Sequence, residues 1–185
     1  MRKLIYSMGV SVDGYIAGPD SEIDWSAPDE ELLRFHNQQT RETGVHLLGR
    51  RLYQTMLPWE TTDESQWSSE YELEFARIWQ GLPKVVFSRT LDEVEGGARL
   101  VKENAVEEVV ALKEQEGEDL SVGRAGPAAA FIERGLVDEY RPFISPVVLG
   151  GGTPYFSNLE QRIQLDLVES RTFGNRVVYL RYQRS

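Results

Sequence analysis

The chain has 185 residues, enough for one domain with a full hydrophobic core, and 41% of them are hydrophobic. Its formal net charge of −10 argues against broad binding to nucleic acids or acidic membranes, because both of these carry negative charge themselves. The absence of cysteine excludes disulfides, a thiolate nucleophile and a zinc–thiolate site.

No apolar run approaches the length of a membrane span, and the first nine residues lack the apolar stretch of a secretory signal. We therefore expect a cytoplasmic protein. The sequence contains no internal repeat, low-complexity stretch or linker, so residues 1–185 are expected to form a single domain.

The N-terminal half of the chain alternates strand-like and helix-like segments. Pro28 stands at the start of the first predicted helix, and three acidic residues follow it, where the helix dipole favours negative charge. A polar and aromatic loop is expected over residues 58–68. The predicted elements are a strand near 2–10, a helix near 28–42, a strand at 45–48, a helix near 50–56, a helix near 69–80 and a strand at 84–88.

The C-terminal half continues the alternation and ends in a hairpin. Asn104 is expected to cap a helix, with Glu107 in the position that completes a capping box. Gly174 and Asn175 join the two last apolar runs as the turn of an antiparallel hairpin. The predicted elements are a strand at 98–101, a helix after Asn104, a strand and a helix on either side of Gly123, a strand at 137–144 and hairpin strands at 163–172 and 176–182.

This order of elements predicts a mixed α/β sandwich. Strands that alternate with helices indicate a parallel sheet with helices on both faces. The terminal hairpin adds antiparallel strands at the edge of that sheet.

The stretch over residues 120–132 combines a strand, a glycine turn and a helix start. Gly123 and Gly126 allow the backbone to pass close to a ligand, and the helix points its unpaired N–H groups at that ligand. Pro127 suits the first helical position, and Gly135 suits the left-handed stop after the helix. The pattern is typical of a phosphate site, and also of an ordinary strand-to-helix turn whose glycines serve packing.

Arginines follow three of the strand-like runs. They are Arg50 and Arg51, which follow Gly49, Arg89, which follows Ser88, and Arg124, which lies in the glycine turn. Each of them alone is explained as a solvated surface charge. Together they coincide with strand ends, where α/β proteins bind ligands, and this coincidence favours a ligand that carries phosphate.

Nucleophilic and metal chemistry find little support in the sequence. No serine lies in a G-x-S-x-G elbow, and His36 and His46 show no pairing with a nucleophile, so each is expected to be a packed or surface residue. No cluster of His, Asp and Glu has the spacing of metal ligands. A cofactor that brings its own reactivity, such as a hydride carrier, suits these residues, although the G-x-G-x-x-G fingerprint is absent.

At this point the chain resembles the dihydrofolate reductase-like superfamily, specifically the branch that shares the C-terminal reductase domain of bacterial riboflavin biosynthesis. The resemblance spans nearly the whole chain, and its longest ordered block is the most specific. The matching blocks are Ser7–Ala17 with Asp24 and Trp25, Leu48–Tyr53, Val85–Arg89 and Ser121–Phe156.

The resemblance implies a three-layer sandwich with an eight-stranded, mostly parallel central sheet and an antiparallel C-terminal hairpin. It also implies NADPH as hydride donor. By position, Gly49, Arg50 and Arg51 would start the helix that meets the cofactor phosphates. Ser88 and Arg89 would receive the adenosine 2′-phosphate, for which a hydroxyl and an arginine fork are suitable partners.

The remaining cofactor residues also follow from the resemblance. The glycine turn would hold the diphosphate through Gly123, Arg124, Ala125 and Gly126. Ala17 and Gly18, on the first loop, would border the nicotinamide. Relatives of this size commonly pair through strand edges, so the resemblance implies a homodimer.

The substrate side is defined less fully by the resemblance. Folate-reducing relatives place a carboxylate early in the first helix to hold the pterin and help supply a proton, and Glu30 matches that position, one residue from Asp29. The same carboxylates are also explained as helix N-terminal charges. Residues 150–152 are expected to form a tight loop near the pocket mouth, while Asp138 and Glu139 are expected to serve structure or a subunit contact.

The leading hypothesis is an NADPH-dependent reductase acting on a small heterocyclic or carbonyl-type substrate. A rival enzyme hypothesis is true dihydrofolate reduction or the ribosyl reduction of the riboflavin pathway. A rival of another class is a nucleotide-binding, non-catalytic module, which loss of a competent Glu30 would favour.

Overall fold

The structure is a computed structural model that describes residues 1–60, 63–123 and 125–185. Arg124, which the family resemblance assigns to the cofactor diphosphate, lies outside the described residues. The chain divides into two compact units, Met1–Arg2 with Pro28–Ser121 and Lys3–Ala27 with Val122–Ser185. That residues 1–185 form one domain stays a prediction.

The described residues form strands, α-helices and short 3₁₀ turns. In chain order the strands and helices are β1 (Leu4–Ser11), β2 (Tyr15–Ala17), α1 (Glu30–Arg41), β3 (Thr43–Gly49), α2 (Arg50–Met56), α3 (Glu70–Gly81), β4 (Lys84–Phe87), β5 (Arg99–Val101), α4 (Ala105–Glu114), β6 (Asp119–Gly123), α5 (Ala125–Glu133), β7 (Glu139–Ser145), β8 (Thr153–Pro154), β9 (Leu165–Thr172) and β10 (Val178–Arg184). The 3₁₀ turns are Asp24–Ser26, Leu57–Glu60 and Glu64–Gln66.

Eight strands form one sheet in the order β5-β4-β3-β6-β1-β7-β10-β9. Parallel pairing joins β3 to β4, β4 to β5 and β1 to β7, whereas β10 runs antiparallel to both β7 and β9. This eight-stranded, mostly parallel sheet with an antiparallel C-terminal hairpin confirms the predicted fold class. The separate pair of β2 and β8 is absent from the prediction, because strands of 3 and 2 residues are too short to show a period.

In the first unit, α2, α3 and β4 contribute to a buried apolar cluster at the carboxyl end of β3. Its buried members are Leu48, Tyr53, Trp79, Leu82 and Val86. The loop that the sequence marks as polar and aromatic packs part of its surface onto this cluster, since Trp59 stacks on Trp67 and meets Phe75 edge-on. The aromatic residues of that loop therefore extend the core of the unit.

In the second unit, the core contains a reciprocal pair of tyrosines. The rings of Tyr6 and Tyr155 stack with centroids 4.3 Å apart. The Tyr6 hydroxyl donates to the Tyr155 carbonyl at 2.9 Å, and the Tyr155 hydroxyl donates to the Tyr6 carbonyl at 3.1 Å. Burial raises the pKa of both hydroxyls, so they stay protonated hydrogen-bond donors that tie β1 to the segment after β8.

The helix ends confirm one of the predicted helix signals and correct two others. Gly135 has a φ of +68°, which confirms the left-handed stop after α5. Asn104 precedes α4 as predicted, but the predicted capping box is wrong, because Asn104 has a left-handed φ of 56° and its side chain accepts no capping hydrogen bond. Pro127 is the third residue of α5 and not the first, a position still within the turn whose N–H groups lack intrahelical partners.

The first helix begins later than expected. Asp29 caps α1 by accepting a hydrogen bond from the backbone N–H of Leu32 at 2.9 Å, so the helix starts at Glu30 and not at Pro28. Among the helices of the described residues, none is both long and apolar enough to cross a membrane.

Candidate functional site

In the first unit, the ends of two neighbouring parallel strands bring predicted cofactor residues together. Gly49 at the end of β3 is in register with Phe87 at the end of β4. Helix α2, which begins at Arg50, and the turn that begins at Ser88 therefore follow neighbouring strand ends at the same edge of the sheet. Carboxyl ends of parallel strands are where open α/β sheets bind their ligands.

The side chains at this edge form a connected polar group. The Arg50 guanidinium donates through Nη1 to the Thr90 hydroxyl at 2.8 Å, and the Thr90 and Ser88 hydroxyl oxygens lie 3.4 Å apart. The Ser88 hydroxyl also accepts from the backbone N–H groups of Thr90 and Leu91, each at 3.2 Å. This turn fixes Ser88 and Thr90 next to Arg50. Sequence reasoning missed Thr90, although a second hydroxyl two residues after Ser88 signals such a turn.

The arginines at this edge keep their charge free for a ligand. Arg50, Arg51 and Arg89 are all exposed, and within the described residues neither Arg50 nor Arg89 forms an ion pair with a carboxylate. In a chain with a net charge of −10, the Arg50 guanidinium beside two hydroxyls, with Arg89 next to them in sequence, has the chemistry that suits an anionic ligand. We call Arg50, Ser88, Arg89 and Thr90 the arginine–hydroxyl group.

In the second unit, the part of the glycine turn at Gly126 is open to solvent. Gly123 ends β6 and is buried, and α5 begins at Ala125. Gly126 is exposed, and a Cβ placed on it would meet nothing within 4 Å. The first turn of α5 therefore has open space above its backbone, as close approach of a ligand requires.

The Ala17–Gly18 segment lies against the glycine loop of residues 150–152. Ala17 pairs with Thr153 across β2 and β8. A Cβ on Gly152 would stand 2.1 Å from the Ala17 carbonyl oxygen and 2.7 Å from the Gly18 carbonyl carbon. Only glycine permits so close a backbone approach, and this contact gives the glycine loop its place beside the segment predicted to border the nicotinamide.

Asp13 holds that loop, and sequence reasoning missed it. Its carboxylate accepts hydrogen bonds from the Ser11 hydroxyl at 2.6 Å, the Leu149 N–H at 3.1 Å and the Gly150 N–H at 2.7 Å. These bonds, with the Ser11 hydroxyl first, lower the pKa of Asp13 to about 2. An Asp-Gly pair after a strand indicates a turn, but no local pattern shows a partner 136 positions away.

The carboxylate predicted for catalysis stands on the surface of its unit. Glu30 is the first residue of α1, its side chain is 65% exposed, and it lies 3.5 Å from the Arg34 guanidinium. Asp29, the neighbouring candidate, is occupied as the cap of the helix. A catalytic role for Glu30 stays a prediction.

Asp138 and Glu139 have structural roles, one of the two roles expected from the sequence. Glu139 is fully buried at the start of β7, where Lys3, Arg141 and Arg181 surround its carboxylate. The Asp138 carboxylate accepts the Leu4 N–H at 2.7 Å. Both residues hold β7 within the sheet.

The histidines are packed residues. Burial lowers the pKa of His36 and of His46 to about 4, and the nearby Lys84 charge adds to the effect at His46. His46 packs against the Trp79 ring with centroids 5.3 Å apart. Neither imidazole is poised to exchange protons near neutral pH.

The sheet order and strand directions define a dihydrofolate reductase-like fold. Dihydrofolate reductase from Enterococcus faecalis superposes with a TM-score of 0.67 at 14% identity, covering 99% of this chain and 96% of that one. A Shewanella sp. PV-4 protein whose name assigns it to riboflavin biosynthesis superposes with a TM-score of 0.76 at 24% identity, covering 100% and 99% of the two chains.

The chain belongs to the RibD C-terminal domain family, which its sequence matches over residues 2–179. The uncharacterized protein YyaP of Bacillus subtilis strain 168 is 36% identical over 184 residues, which cover 98% of this chain and 94% of that protein. These matches confirm the family that the sequence blocks indicated.

Proposed function

We propose that this protein is an NADPH-dependent reductase that transfers hydride to a small heterocyclic or carbonyl-type substrate. The observation that carries the proposal is the arginine–hydroxyl group, in which the Arg50 guanidinium meets the Thr90 hydroxyl, next to Ser88 and Arg89, where two parallel strands end. The fold supports the proposal, because a solved dihydrofolate reductase with the same fold is complexed with NADP(H).

The first unit is proposed to bind the phosphate end of the cofactor. Ser88 and Arg89 contact the adenosine 2′-phosphate, and Gly49, Arg50 and Arg51 contact the cofactor phosphates through the start of α2. We add Thr90, whose hydroxyl orients Arg50 at 2.8 Å. A dianionic phosphate suits this set, since guanidinium and hydroxyl groups donate charge-assisted hydrogen bonds to it.

The second unit is proposed to bind the diphosphate and the nicotinamide. Backbone N–H groups of the turn at Gly123, Arg124, Ala125 and Gly126 donate to the diphosphate, and the open space at Gly126 fits such an approach. Ala17 and Gly18 border the nicotinamide. The cofactor supplies the hydride, while these residues bind and orient it and exclude water.

Glu30 is proposed to help supply a proton to the substrate. The helix dipole favours a carboxylate at the start of α1, and the proton that Glu30 passes on would come from solvent, to which its side chain is exposed. Replacement of Glu30 by Gln in turnover assays with dihydrofolate tests the role. Unchanged activity of the variant would remove Glu30 from the mechanism.

One observation favours the second candidate function, a nucleotide-binding module without catalysis. The Glu30 side chain is exposed and paired with Arg34, a surface arrangement that by itself builds no substrate pocket. Under this alternative NADPH binds and no substrate is reduced. Turnover with any pyrimidine, pterin or carbonyl compound excludes it.

Titration with NADPH and NADH, followed by tryptophan fluorescence, tests the cofactor. We expect NADPH to bind more tightly than NADH. Arg89→Ala and Arg50→Ala should weaken NADPH binding by about tenfold or more, as for the loss of a charged hydrogen bond, and should change NADH binding less. Thr90→Val should weaken NADPH binding by a smaller factor.

Arg99→Ala is the matched control for these variants. Arg99 is an exposed arginine of the same unit whose partner is Glu108 and not the arginine–hydroxyl group. Its loss should leave the preference for NADPH unchanged. No binding of either nucleotide, or an equal loss of NADPH and NADH affinity in Arg89→Ala, contradicts the cofactor assignment.

We also propose a homodimer and a cytoplasmic location. Strand β9 is last in the strand order of the described residues and has no second neighbour among them, and its Leu167 and Val168 side chains are 57% and 48% exposed, a combination that a second copy would cover. Sedimentation should give twice the chain mass, and Leu167→Glu with Val168→Lys should give monomers. A monomeric parent protein refutes the dimer.

A further inference from the structure

Hydrogen bonds join the two segments that meet at Asp13, residues 11–14 and residues 147–155, at several positions. Besides the three bonds to the Asp13 carboxylate, the Val12 N–H donates to the Val147 carbonyl at 2.9 Å. The Tyr155 N–H donates to the Gly14 carbonyl at 2.8 Å. Bonds on both sides of Asp13 therefore fix residues 11–14 and residues 147–155 in one register.

The Asp13 carboxylate is the only side chain among these contacts that reaches across to the glycine loop. One oxygen accepts the Leu149 N–H, and the other accepts the Gly150 N–H. The Ser11 hydroxyl donates to the first oxygen and itself accepts the Tyr15 N–H at 2.9 Å. Two successive N–H groups of the loop thus depend on a carboxylate with both oxygens available.

The glycine loop in turn sets the position of Ala17 and Gly18. Gly152 has a φ of +124°, and its backbone stands so close that a Cβ would lie 2.1 Å from the Ala17 carbonyl oxygen. The atoms nearest to such a Cβ belong to the backbone of Ala17 and Gly18, which cannot change position by a rotamer change as a side chain can. The backbones are in close contact, and Thr153, the residue after Gly152, pairs with Ala17, so a shift of the loop is expected to disturb Ala17 and Gly18.

We propose that Asp13 is a positioning residue: by fixing the glycine loop at Leu149 and Gly150, it holds the Ala17–Gly18 backbone in the place from which it would border the nicotinamide. The nicotinamide part of this proposal rests on the proposed function. The mechanical part, that Asp13 acts on Ala17 and Gly18 through Gly152, concerns the free protein.

Hydrogen exchange of the free protein tests the mechanical part. In Asp13→Asn one oxygen is replaced by a donor that faces the loop N–H groups, so we expect the amides of residues 14–18 to exchange at least about tenfold faster. Asp13→Glu keeps the charge and should restore part of the protection. Asp166→Asn, which removes an exposed carboxylate on β9, should leave these amides unchanged.

A pair of glycine variants gives a second test that does not require Asp13 to be changed. Gly152→Ala places a methyl group against Ala17, whereas Gly150→Ala, with a φ of +74°, meets nothing within 4 Å. Both substitutions strain the backbone, but only Gly152→Ala should speed exchange over residues 14–18. Equal effects of the two variants refute the transmission through Gly152.

The fluorescence of bound NADPH tests the nicotinamide part. We expect Asp13→Asn to bind NADPH within about twofold of the parent affinity, because phosphate contacts dominate, while the anisotropy of the reduced nicotinamide falls as its surroundings loosen. A variant that was merely less stable would not combine a nearly unchanged NADPH affinity with a lower nicotinamide anisotropy.

The outcomes separate this proposal from the proposed function. If the parent protein binds no NADPH, the proposed function fails, and the exchange data still decide the mechanical part. If Asp13→Asn is folded and residues 14–18 keep their protection, the proposal is refuted even when NADPH binds. If Asp13→Asn does not fold, the comparison of Gly152→Ala with Gly150→Ala decides it.

Discussion

Replacement of Glu139 by glutamine removes a negative charge from the interior of the second unit and keeps nearly the same volume. The carboxylate is fully buried. One oxygen lies 2.5 Å from the Arg141 Nε and 2.9 Å from the Arg181 Nε, and the other lies 3.6 Å from the Lys3 Nζ. The change therefore leaves three cations around a neutral amide.

The expected cost follows from how far these cations are buried. Loss of one partner from a buried ion pair costs about 3–5 kcal/mol, because the remaining charge stays desolvated. The Arg141 side chain is 13% exposed, whereas Arg181 and Lys3 are 29% and 44% exposed and regain some hydration. We expect a loss of roughly 3 kcal/mol in the free energy of unfolding, or about 6–12 °C in melting temperature for a chain of this size.

Urea unfolding at pH 7, followed by far-ultraviolet circular dichroism, measures this loss. Glu169→Gln is the matched control, because Glu169 is 44% exposed, lies 3.9 Å from Arg181, and should cost no more than about 1 kcal/mol. Equal costs for the two variants would refute the reasoning, since burial would then not decide the strength of the cluster.

The pH dependence of the unfolding free energy is an independent test of the same cluster. Burial by itself raises the pKa of Glu139, but Arg141 and Arg181 outweigh burial and hold that pKa below its ordinary value of 4.5. The ionised carboxylate therefore stabilises the fold above pH 4.5, and this contribution is lost as the pH falls through the lowered pKa. The difference between the parent protein and Glu139→Gln should shrink over that range.

Two further predictions concern Gly135 and His46. Gly135→Ala should cost about 1–2 kcal/mol in unfolding free energy, because the residue has a φ of +68° and a Cβ there lies 2.5 Å from the Arg184 guanidinium. Gly97→Ala, with a φ of +67° and nothing within 4 Å, should cost only the backbone strain of about 1 kcal/mol, and a larger cost at Gly97 than at Gly135 would contradict the role of Arg184. Burial and the Lys84 charge lower the pKa of His46 from 6.5 to about 4, so the unfolded chain takes up a proton first and stability should fall as the pH drops from 6.5 to 4. The part due to His46 is at most about 3 kcal/mol, and unfolding of His46→Gln at several pH values should lack it, whereas identical pH slopes would show that His46 is not buried as described.

Much of the fold could be predicted, because local hydrophobic periodicity and turn residues indicate where strands and helices begin and end. Strand β4 and helix α2 lie where alternation, apolar runs and the Gly49 turn indicated them. Helix capping was harder to predict. Ser69 and Glu72 form a capping box that no prediction included, and Asn104 does not form the one expected, because each depends on backbone angles that residue types alone do not decide.

The candidate site divides in the same way. The sequence alone determined the glycine turn, the arginines that follow strands and the family, since each is a property of contiguous residues or of ordered blocks. Only the tertiary structure decided that Arg50 reaches Thr90, that Asp13 holds a loop 136 positions away and that Glu139 is buried among three cations. The physical reason is that strand register and close backbone contacts join segments far apart in the chain, and these contacts are set by packing and not by local pattern.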